Sequence, residues 1–178
     1  MTERDLIQGC IDEDRQCQIE VFRLYAGKML AVCQRYARHH MEAEDILQEA
    51  FIKVYDNVAK FQFKGSFEGW IRRIVINTAL KNYQKSSFQK ERIGLEDYDD
   101  RPIEPEAISL LQEEELLDLI EQLPDGYRVV FNLYAVEGYS HKEIAEMLGI
   151  GESTSRSQLV KARKMLKDRI LKLQMIVL

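Results

Sequence analysis

The sequence predicts an all-α fold of two small helical domains joined by a flexible acidic linker. Glycine and proline are scarce, 9 and 3 among 178 residues, whereas side chains that favour helices are abundant. Apolar side chains recur every three or four residues through most of the chain, which is the spacing of one helix face. The pattern fails in residues 94–107, GLEDYDDRPIEPEA, an acidic stretch with two prolines that is typical of a linker. We therefore expect domains at residues 1–90 and 113–178, with a linker at residues 91–112.

The first domain begins with a helical pattern from Asp5 to about Arg38. Its apolar side chains are expected to form core, and they are Ile19, Phe22, Leu24, Tyr25, Met29, Leu30, Val32 and Cys33. The next predicted helix, residues 42–58, has an inward stripe of Ile46, Ala50, Phe51 and Val54 and an outward group of Asp45, Gln48 and Glu49. Acids in its first turns suit the positive end of a helix. The outward group is also suited to docking a basic partner, and both explanations are open.

The third segment, residues 61–86, combines aromatic and basic side chains. Phe61, Phe63 and Phe67 crowd a short loop, and a helix is predicted from about Glu68. Its apolar side carries Trp70, Ile71, Ile74, Val75, Thr78 and Ala79, which leaves Arg72, Arg73, Asn77, Lys81, Asn82 and Tyr83 available to solvent. Single-stranded nucleic acid binds such surfaces, because bases stack on rings while cations follow the backbone. Alternatively the aromatics are core and the basic face is merely solvated.

The second domain is predicted to begin with two scaffold helices. Leu116, Leu117, Leu119, Ile120 and Leu123 mark the first, which ends at the Pro124-Asp125-Gly126 turn. The second carries Val129, Val130, Phe131, Leu133 and Tyr134 and stops around Gly138.

Residues 139–166, YSHKEIAEMLGIGESTSRSQLVKARKML, predict a helix-turn-helix. Ser140 and Glu143 form a capping box, Gly149 ends the first helix, and Ser153 or Thr154 caps the second. Ile144, Ala145 and Leu148 point inward on the first helix, as do Leu159, Ala162 and Leu166 on the second. Arg156, Val160, Lys161, Arg163 and Lys164 are expected to face outward. Such a motif places its second helix in the DNA major groove, although an ordinary helical hairpin with a solvated basic face has the same pattern.

Charge is distributed in blocks along the chain. Residues 60–90 hold 7 basic and 1 acidic side chains, residues 91–125 hold 2 and 13, and residues 139–178 hold 8 and 4, within a net charge of −5. Patches rather than totals govern contact with phosphates, so two basic segments separated by an acidic one are compatible with binding DNA.

Several classes of protein are disfavoured. No apolar run could span a bilayer, and residues 1–9 lack a signal-peptide core, so a cytoplasmic protein is expected. Cys10, Cys17 and Cys33 are odd in number and lack C-x-x-C spacing, which argues against disulfides or structural zinc. No nucleophile–base pair, metal cluster or phosphate loop is evident. We expect no catalytic residue, cofactor or metal.

The combination resembles the extracytoplasmic-function class of bacterial sigma factors, in the sigma-70 family. AEDILQEAF (residues 43–51) is similar to the family's polymerase-docking segment in region 2. GSFEGWIRRIVINTALKNY (residues 65–83) is similar to its promoter-melting segment, and residues 139–166 resemble the DNA-reading helix-turn-helix of region 4. Three such motifs in order across an acidic linker are far more specific than any one alone.

The resemblance implies roles for particular residues. Asp45, Gln48 and Glu49 match the surface that docks on the coiled coil of the largest polymerase subunit. Phe63, Lys64, Gly65 and Ser66 match the loop that captures an unpaired base of the minus-ten element. Asn77 matches a position in that pocket, and Arg72, Arg73 and Lys81 would hold nearby backbone. At the minus-thirty-five element, the matching positions are Arg156, Ser157, Val160 and Lys161, with Arg163 and Lys164 nearer phosphate.

The implied partners are core RNA polymerase, through its coiled coil and flap, promoter DNA, and an anti-sigma factor. Neither a small-molecule substrate nor membrane insertion is expected. Ser155 stands where the family often has a valine that faces the core, and Gln158 where it often has an arginine, and both departures bear on the promoter sequence. The runner-up function is a polymerase-independent helix-turn-helix regulator that binds symmetric sites. A nucleic-acid-processing enzyme would need a carboxylate–metal cluster, and it is disfavoured because the acids of residues 91–125 lie in a predicted linker without ligand spacing.

Overall fold

The computed structural model describes residues 1–87 and 113–176, and its regular elements there are helical, without a strand. The described residues belong to two compact units, one on each side of the intervening stretch. An all-α fold is thus confirmed. The predicted acidic linker, residues 91–112, lies outside the described residues.

Four α-helices and one short 3₁₀ turn build the first unit. They are α1 (Glu3–Ile11), α2 (Arg15–Tyr36), α3 (His40–Asn57), the 3₁₀ turn Val58–Lys60, and α4 (Phe67–Ser87). Helices α2, α3 and α4 pack on one another, and α1 lies on α2 and on the 3₁₀ turn. The predicted inward stripe of α3 is confirmed, because Ile46, Ala50, Phe51 and Val54 are all buried.

One predicted helix, from Asp5 to about Arg38, is in fact two. Helix α1 ends at Ile11, Glu13 has a left-handed φ of 60°, and Asp14 caps α2 by accepting hydrogen bonds from the backbone N–H groups of Gln16 and Cys17. The expected core role of Leu24 is also wrong, since 51% of this residue is exposed. Ile19 and Phe22 are exposed as well. Helix α2 buries a narrower stripe than its apolar content suggested, because it has neighbours on only part of its surface.

The second unit contains α5 (Glu113–Glu121), α6 (Asp125–Phe131), a π-helical turn (Asn132–Val136), α7 (His141–Leu148) and α8 (Glu152–Ile176). Its core joins α5 to α8 through Leu119, Ile120, Leu123, Ala162, Leu166 and Ile170. Two arginines satisfy carbonyls near the end of α5: Arg128 donates to the Glu121 oxygen at 3.1 Å and Arg169 to the Leu119 oxygen at 3.3 Å. The Pro124 turn is tighter than predicted, since Asp125 and Gly126 already belong to α6.

The helix-turn-helix forms from α7 and α8. Ser140 and Glu143 make the predicted capping box, with the Ser140 N–H donating to Glu143 Oε2 at 2.8 Å, and Gly149 ends α7 with φ 67°. Ile144 and Ala145 of α7 are buried, and so are Leu159, Ala162 and Leu166 of α8. The predicted cap at Ser153 or Thr154 is wrong. Helix α8 begins at Glu152 and the carbonyl of Gly151 accepts from Ser155 N–H, so both side chains lie within the first turn.

Candidate functional site

An aromatic cluster surrounds the loop that precedes α4. Phe61 and Phe67 are buried, and their ring centroids lie 5.2 Å apart. Trp70 stacks on Phe67 at 5.7 Å with an interplanar angle of 12° and is half-buried. Of the two explanations for these aromatics, core packing therefore holds for Phe61 and Phe67.

Phe63 differs from its neighbours in exposure and in backbone conformation. It is 48% exposed, although its ring centroid lies only 5.0 Å from that of Phe61. Its φ is 55°, in the left-handed region where a side chain other than glycine, asparagine or aspartate is strained. Such strain persists only where surrounding structure enforces it, and it concentrates at functional sites. The loop thus holds one phenylalanine ring out toward solvent.

The other predicted loop and helix residues form a polar surface around this ring. Lys64, Gly65 and Ser66 are exposed, Gly65 has φ 87°, and the Ser66 hydroxyl accepts from the backbone N–H of Gly69 at 3.1 Å, at the start of α4. Arg73, Asn77 and Lys81 are exposed at four-residue spacing along α4, and Arg72 is half-buried. The helical rise puts Asn77 about 15 Å along the axis from Phe67. Cations and an amide therefore follow the aromatic loop along one helix.

Helix α3 carries the predicted docking residues. Asp45 and Gln48 are exposed, and Glu49 is half-exposed. Met41 and Ile52, 72% and 61% exposed, extend the same solvent face by one turn on either side. Because the opposite face of α3 is buried in the core, these side chains stand on a rigid support.

Glu49 is tied to α4 through Lys53, a residue that the sequence interpretation did not single out. Lys53 Nζ lies 2.7 Å from Glu49 Oε1 and 3.3 Å from the Thr78 hydroxyl, which itself donates to the Ile74 carbonyl at 2.8 Å. The Lys53 hydrogen bond, with Lys85 and Lys81 nearby, holds the pKa of Glu49 below its ordinary value. Thr78 follows Asn77 directly. Helices α3 and α4 are therefore joined by a polar bridge.

The first turns of α8 present most of the predicted groove-reading residues. Arg156 is exposed and pairs with Glu152 at 2.9 Å, Arg163 and Lys164 are exposed, and Ser157 and Val160 are half-exposed. Lys161 was expected to face outward, and that prediction is wrong, since it is only 8% exposed. Helical spacing predicts the direction in which a side chain leaves its own helix but not what packs over it.

A polar contact inside the helix-turn-helix was also missed. His141, at the start of α7, lies 2.9 Å through Nδ1 from the hydroxyl of Ser155, which is fully buried in α8. The His141 ring stacks on Tyr134 at 4.6 Å, and the guanidinium of Arg163 lies over the same tyrosine at 5.7 Å. Burial, aided by Arg156 and Arg163, lowers the pKa of His141. The ring therefore stays neutral at pH 7 and links the two helices of the motif.

The predicted residues fall into two groups according to unit. The loop, the α4 cations, Asn77 and the docking residues share the first unit, and the groove-reading residues of α8 lie in the second. Within the described residues no group of three or more histidine, cysteine or acidic side chains could hold a metal, and no helix there is long and apolar enough to cross a membrane.

Comparison with known proteins matches both units. The model of Sigma-70 region 2 matches residues 21–88, and that of Sigma-70, region 4 matches residues 113–166. The ECF RNA polymerase sigma-E factor of Haemophilus influenzae is 30% identical over 96% of this chain and 96% of its own length. The ECF RNA polymerase sigma factor SigW of Bacillus subtilis is 28% identical over 88% of this chain and 90% of its own.

A solved structure shares the fold. It is the sigma factor RpoE of Bartonella quintana, in complex with the anti-sigma factor NepR. The match covers 86% of this chain and 95% of the RpoE chain at 19% identity, with a TM-score of 0.52.

Proposed function

We propose how this chain, which belongs to the extracytoplasmic-function class of the sigma-70 family of RNA polymerase sigma factors, finds and opens promoter DNA. As a member of that family it directs promoter-specific transcription initiation by core RNA polymerase and is not itself an enzyme. Three surfaces divide the work, and each is assigned below from its own contacts.

Docking is assigned to the outer face of α3. Asp45 and Gln48 are exposed there, and Glu49 keeps its negative charge because Lys53 lowers the pKa of its carboxyl. An acid and amide patch of this kind fits a basic surface, such as the coiled coil of the largest polymerase subunit. Since Lys53 also contacts Thr78 on α4, the docking face of α3 and the DNA-binding helix are held together, so docking on polymerase brings both to the promoter.

Promoter melting is assigned to the loop and the basic face of α4. The observation that carries this assignment is the exposed ring of Phe63 on a left-handed backbone, at the head of a helix that presents Arg73, Asn77 and Lys81. A base taken out of the duplex costs a few kcal/mol, which stacking on the ring and a hydrogen bond to the Asn77 amide offset. The cations then hold the backbone of the melted strand.

Reading of the minus-thirty-five element is assigned to α8. Arg156, Ser157 and Val160 reach base edges near its start, while Arg163 and Lys164 contact phosphate. Lys161 is left out of direct base contact because its side chain is buried. The modest positive charge of this segment suffices, since docking to polymerase raises the effective concentration of the helix-turn-helix at the promoter.

The location and control of the protein follow from this role. Because core RNA polymerase works in the cytoplasm, we infer that the chain works there too. An anti-sigma factor is the natural inhibitor to expect, since the structurally similar RpoE is in complex with one.

The test is promoter opening by holoenzyme that contains Asn77→Ala. Loss of the amide removes a base contact of about 1–3 kcal/mol, so permanganate reactivity of melted thymines should fall by about 5- to 150-fold. Because Asn77 is exposed, thermal unfolding and the elution of the complex with core polymerase should match wild type. Unchanged opening would remove Asn77 from the mechanism.

A further inference from the structure

We propose that Arg4, on the first helix, is part of the surface that holds the melted minus-ten strand, where it braces the ring of Phe63 and donates to a phosphate of that strand. This inference rests on the melting role proposed above, and it adds a residue that no motif identified. It rests on three observations: how α1 is fixed in place, the geometry of the Arg4–Phe63 contact, and the guanidinium N–H donors that make no ion pair.

The start of α1 is anchored on the aromatic cluster. Glu3 Oε2 accepts from the Tyr25 hydroxyl at 3.0 Å, and the Tyr25 ring meets Phe67 edge-on with centroids 5.9 Å apart. Burial and the bond to Glu3 raise the pKa of Tyr25 to about 12, so its hydroxyl remains a donor at neutral pH. The first turn of α1 is thus tied, through Tyr25, to the ring at the head of α4.

Local bonds hold the same turn in its helical form. Thr2 and Asp5 make a reciprocal capping box, in which the Thr2 N–H donates to Asp5 Oδ2 at 2.7 Å and the Asp5 N–H donates to the Thr2 hydroxyl at 3.2 Å. Further along, Gly9 allows α1 to approach α2 closely, because a Cβ there would lie 2.2 Å from the sulfur of Cys17. Arg4 therefore leaves a fixed backbone rather than a fraying end.

Arg4 meets Phe63 face-on. Its guanidinium carbon lies 5.0 Å from the centroid of that ring, within the range of a cation–π contact. Within the described residues, the ion pairs involve other basic side chains, and none includes Arg4. A surface arginine without an ion pair therefore lies on the exposed and strained ring of the loop.

Stacking leaves the polar edge of a guanidinium available. The flat faces of arginine take an aromatic ring, while its five N–H donors lie in the plane and fit the oxygens of a phosphate. Phe63 is itself 48% exposed, so ring surface remains for a base. A base on Phe63 and its phosphate on Arg4 would occupy neighbouring positions of one strand.

The experiment measures binding of holoenzyme to a fork-junction DNA. The DNA derives from a promoter at which the holoenzyme initiates, with the non-template strand unpaired across the minus-ten element. The variants are Arg4→Gln, Arg4→Lys, Phe63→Ala and the double variant Arg4→Gln/Phe63→Ala. Arg23→Gln is the matched control, since it removes the same charge from an exposed arginine on α2.

We expect Arg4→Gln to weaken binding about fivefold to tenfold and to reduce the slope of log affinity against log salt by about one phosphate contact. The affinity of Arg4→Lys should lie between those of wild type and Arg4→Gln, because lysine keeps the charge but lacks the flat face of the guanidinium. Arg23→Gln should stay within about twofold of wild type. The double variant should lose less affinity than the two single losses multiplied together, because the effects of residues that act as a unit are not additive.

Two results would overturn the inference. One is an Arg4→Gln variant that binds as Arg23→Gln does, and the other is full additivity with Phe63→Ala, which would make Arg4 an independent charge. Asn77→Ala is measured on the same DNA as a test of the melting surface itself. If Phe63→Ala and Asn77→Ala weaken binding while Arg4→Gln does not, the role of Arg4 alone fails. If none of the three weakens binding, the proposed melting surface fails with it.

Discussion

Replacing Phe63 by glycine should separate stability from promoter opening. Phe63 has a strained φ of 55°, and 48% of the residue is exposed, so the loop presents an aromatic side chain to solvent. Glycine adopts that φ without strain but has no ring. We expect the variant to fold with only a small loss of stability and to open promoters poorly.

The magnitudes follow from the contacts of Phe63. Relief of left-handed strain contributes about 1–2 kcal/mol. Against it stand the aromatic contact with Phe61, about 0.5–1.5 kcal/mol, and the exposed cation–π contact with Arg4, about 0.5–1 kcal/mol. Loss of the buried half of Phe63 adds roughly 1 kcal/mol to these losses, so the free energy of unfolding should fall by about 1 kcal/mol and by less than about 2.5 kcal/mol. Base stacking is worth about 1–3 kcal/mol, so open complexes should fall by about 5- to 150-fold.

The assays are urea unfolding of the full chain and permanganate footprinting of holoenzyme on promoter DNA. Phe67→Ala is the matched control, because this ring is 1% exposed and its loss should cost about 3–5 kcal/mol of unfolding free energy. Phe63→Asn separates the loss of the ring from the backbone flexibility that glycine adds, since asparagine tolerates the same φ and also lacks the ring. It should behave like Phe63→Gly.

The opposite pattern would refute the role assigned to Phe63. If Phe63→Gly lowers the free energy of unfolding by about 3 kcal/mol or more, which is the cost of losing a core ring, then Phe63 is a structural residue. Wild-type promoter opening by both Phe63→Gly and Phe63→Asn would mean that the exposed ring does not contact DNA.

Two further predictions concern the packing of each unit. Gly9→Ala should lower the melting temperature by an amount corresponding to about 1–3 kcal/mol, because its Cβ would lie 2.2 Å from Cys17 Sγ. Adding Cys17→Ala should restore part of that loss. An unchanged melting temperature for Gly9→Ala would contradict the close approach of α1 to α2. Because the pKa of His141 is lower in the folded chain than in the unfolded chain, the unfolded chain takes up a proton at a higher pH. This group therefore leaves stability unchanged well above its ordinary pKa of 6.5 and lowers stability as the pH drops from there toward the pKa of the folded state. His141→Gln should therefore flatten the decline in melting temperature between about pH 6.5 and 5.5, and an unchanged slope would remove His141 as its cause.

Features that depend on residues close in sequence were predicted well. The Ser140–Glu143 capping box and the end of α7 at Gly149 each follow from backbone geometry within a few residues. The buried stripe of α3 follows likewise from helical spacing. The break between α1 and α2 was also local, since Asp14 is a good cap, but apolar spacing continued across it and masked the signal.

Features that depend on separate elements meeting were missed. Arg4 reaches Phe63, and Tyr25 reaches Glu3, only because α1 packs beside the loop before α4. The burial of Ser155 agrees with its expected core-facing position, but its contact with His141 on another helix was not predicted. Lys161 is buried although its helical position was expected to face outward. Periodicity assigns a side chain to a face of its own helix, and the neighbour on that face is decided by tertiary packing.

The most direct test of the account is run-off transcription with purified core RNA polymerase, promoter DNA and this chain. We expect core polymerase alone to give no defined transcript and the wild-type chain to give a single start. Asp45→Ala combined with Gln48→Ala should remove both the polymerase complex and the transcript. Glu121→Ala, which removes an exposed acid from the second unit, should change neither. Binding of a symmetric duplex site without polymerase, together with no stable polymerase complex, would contradict the account.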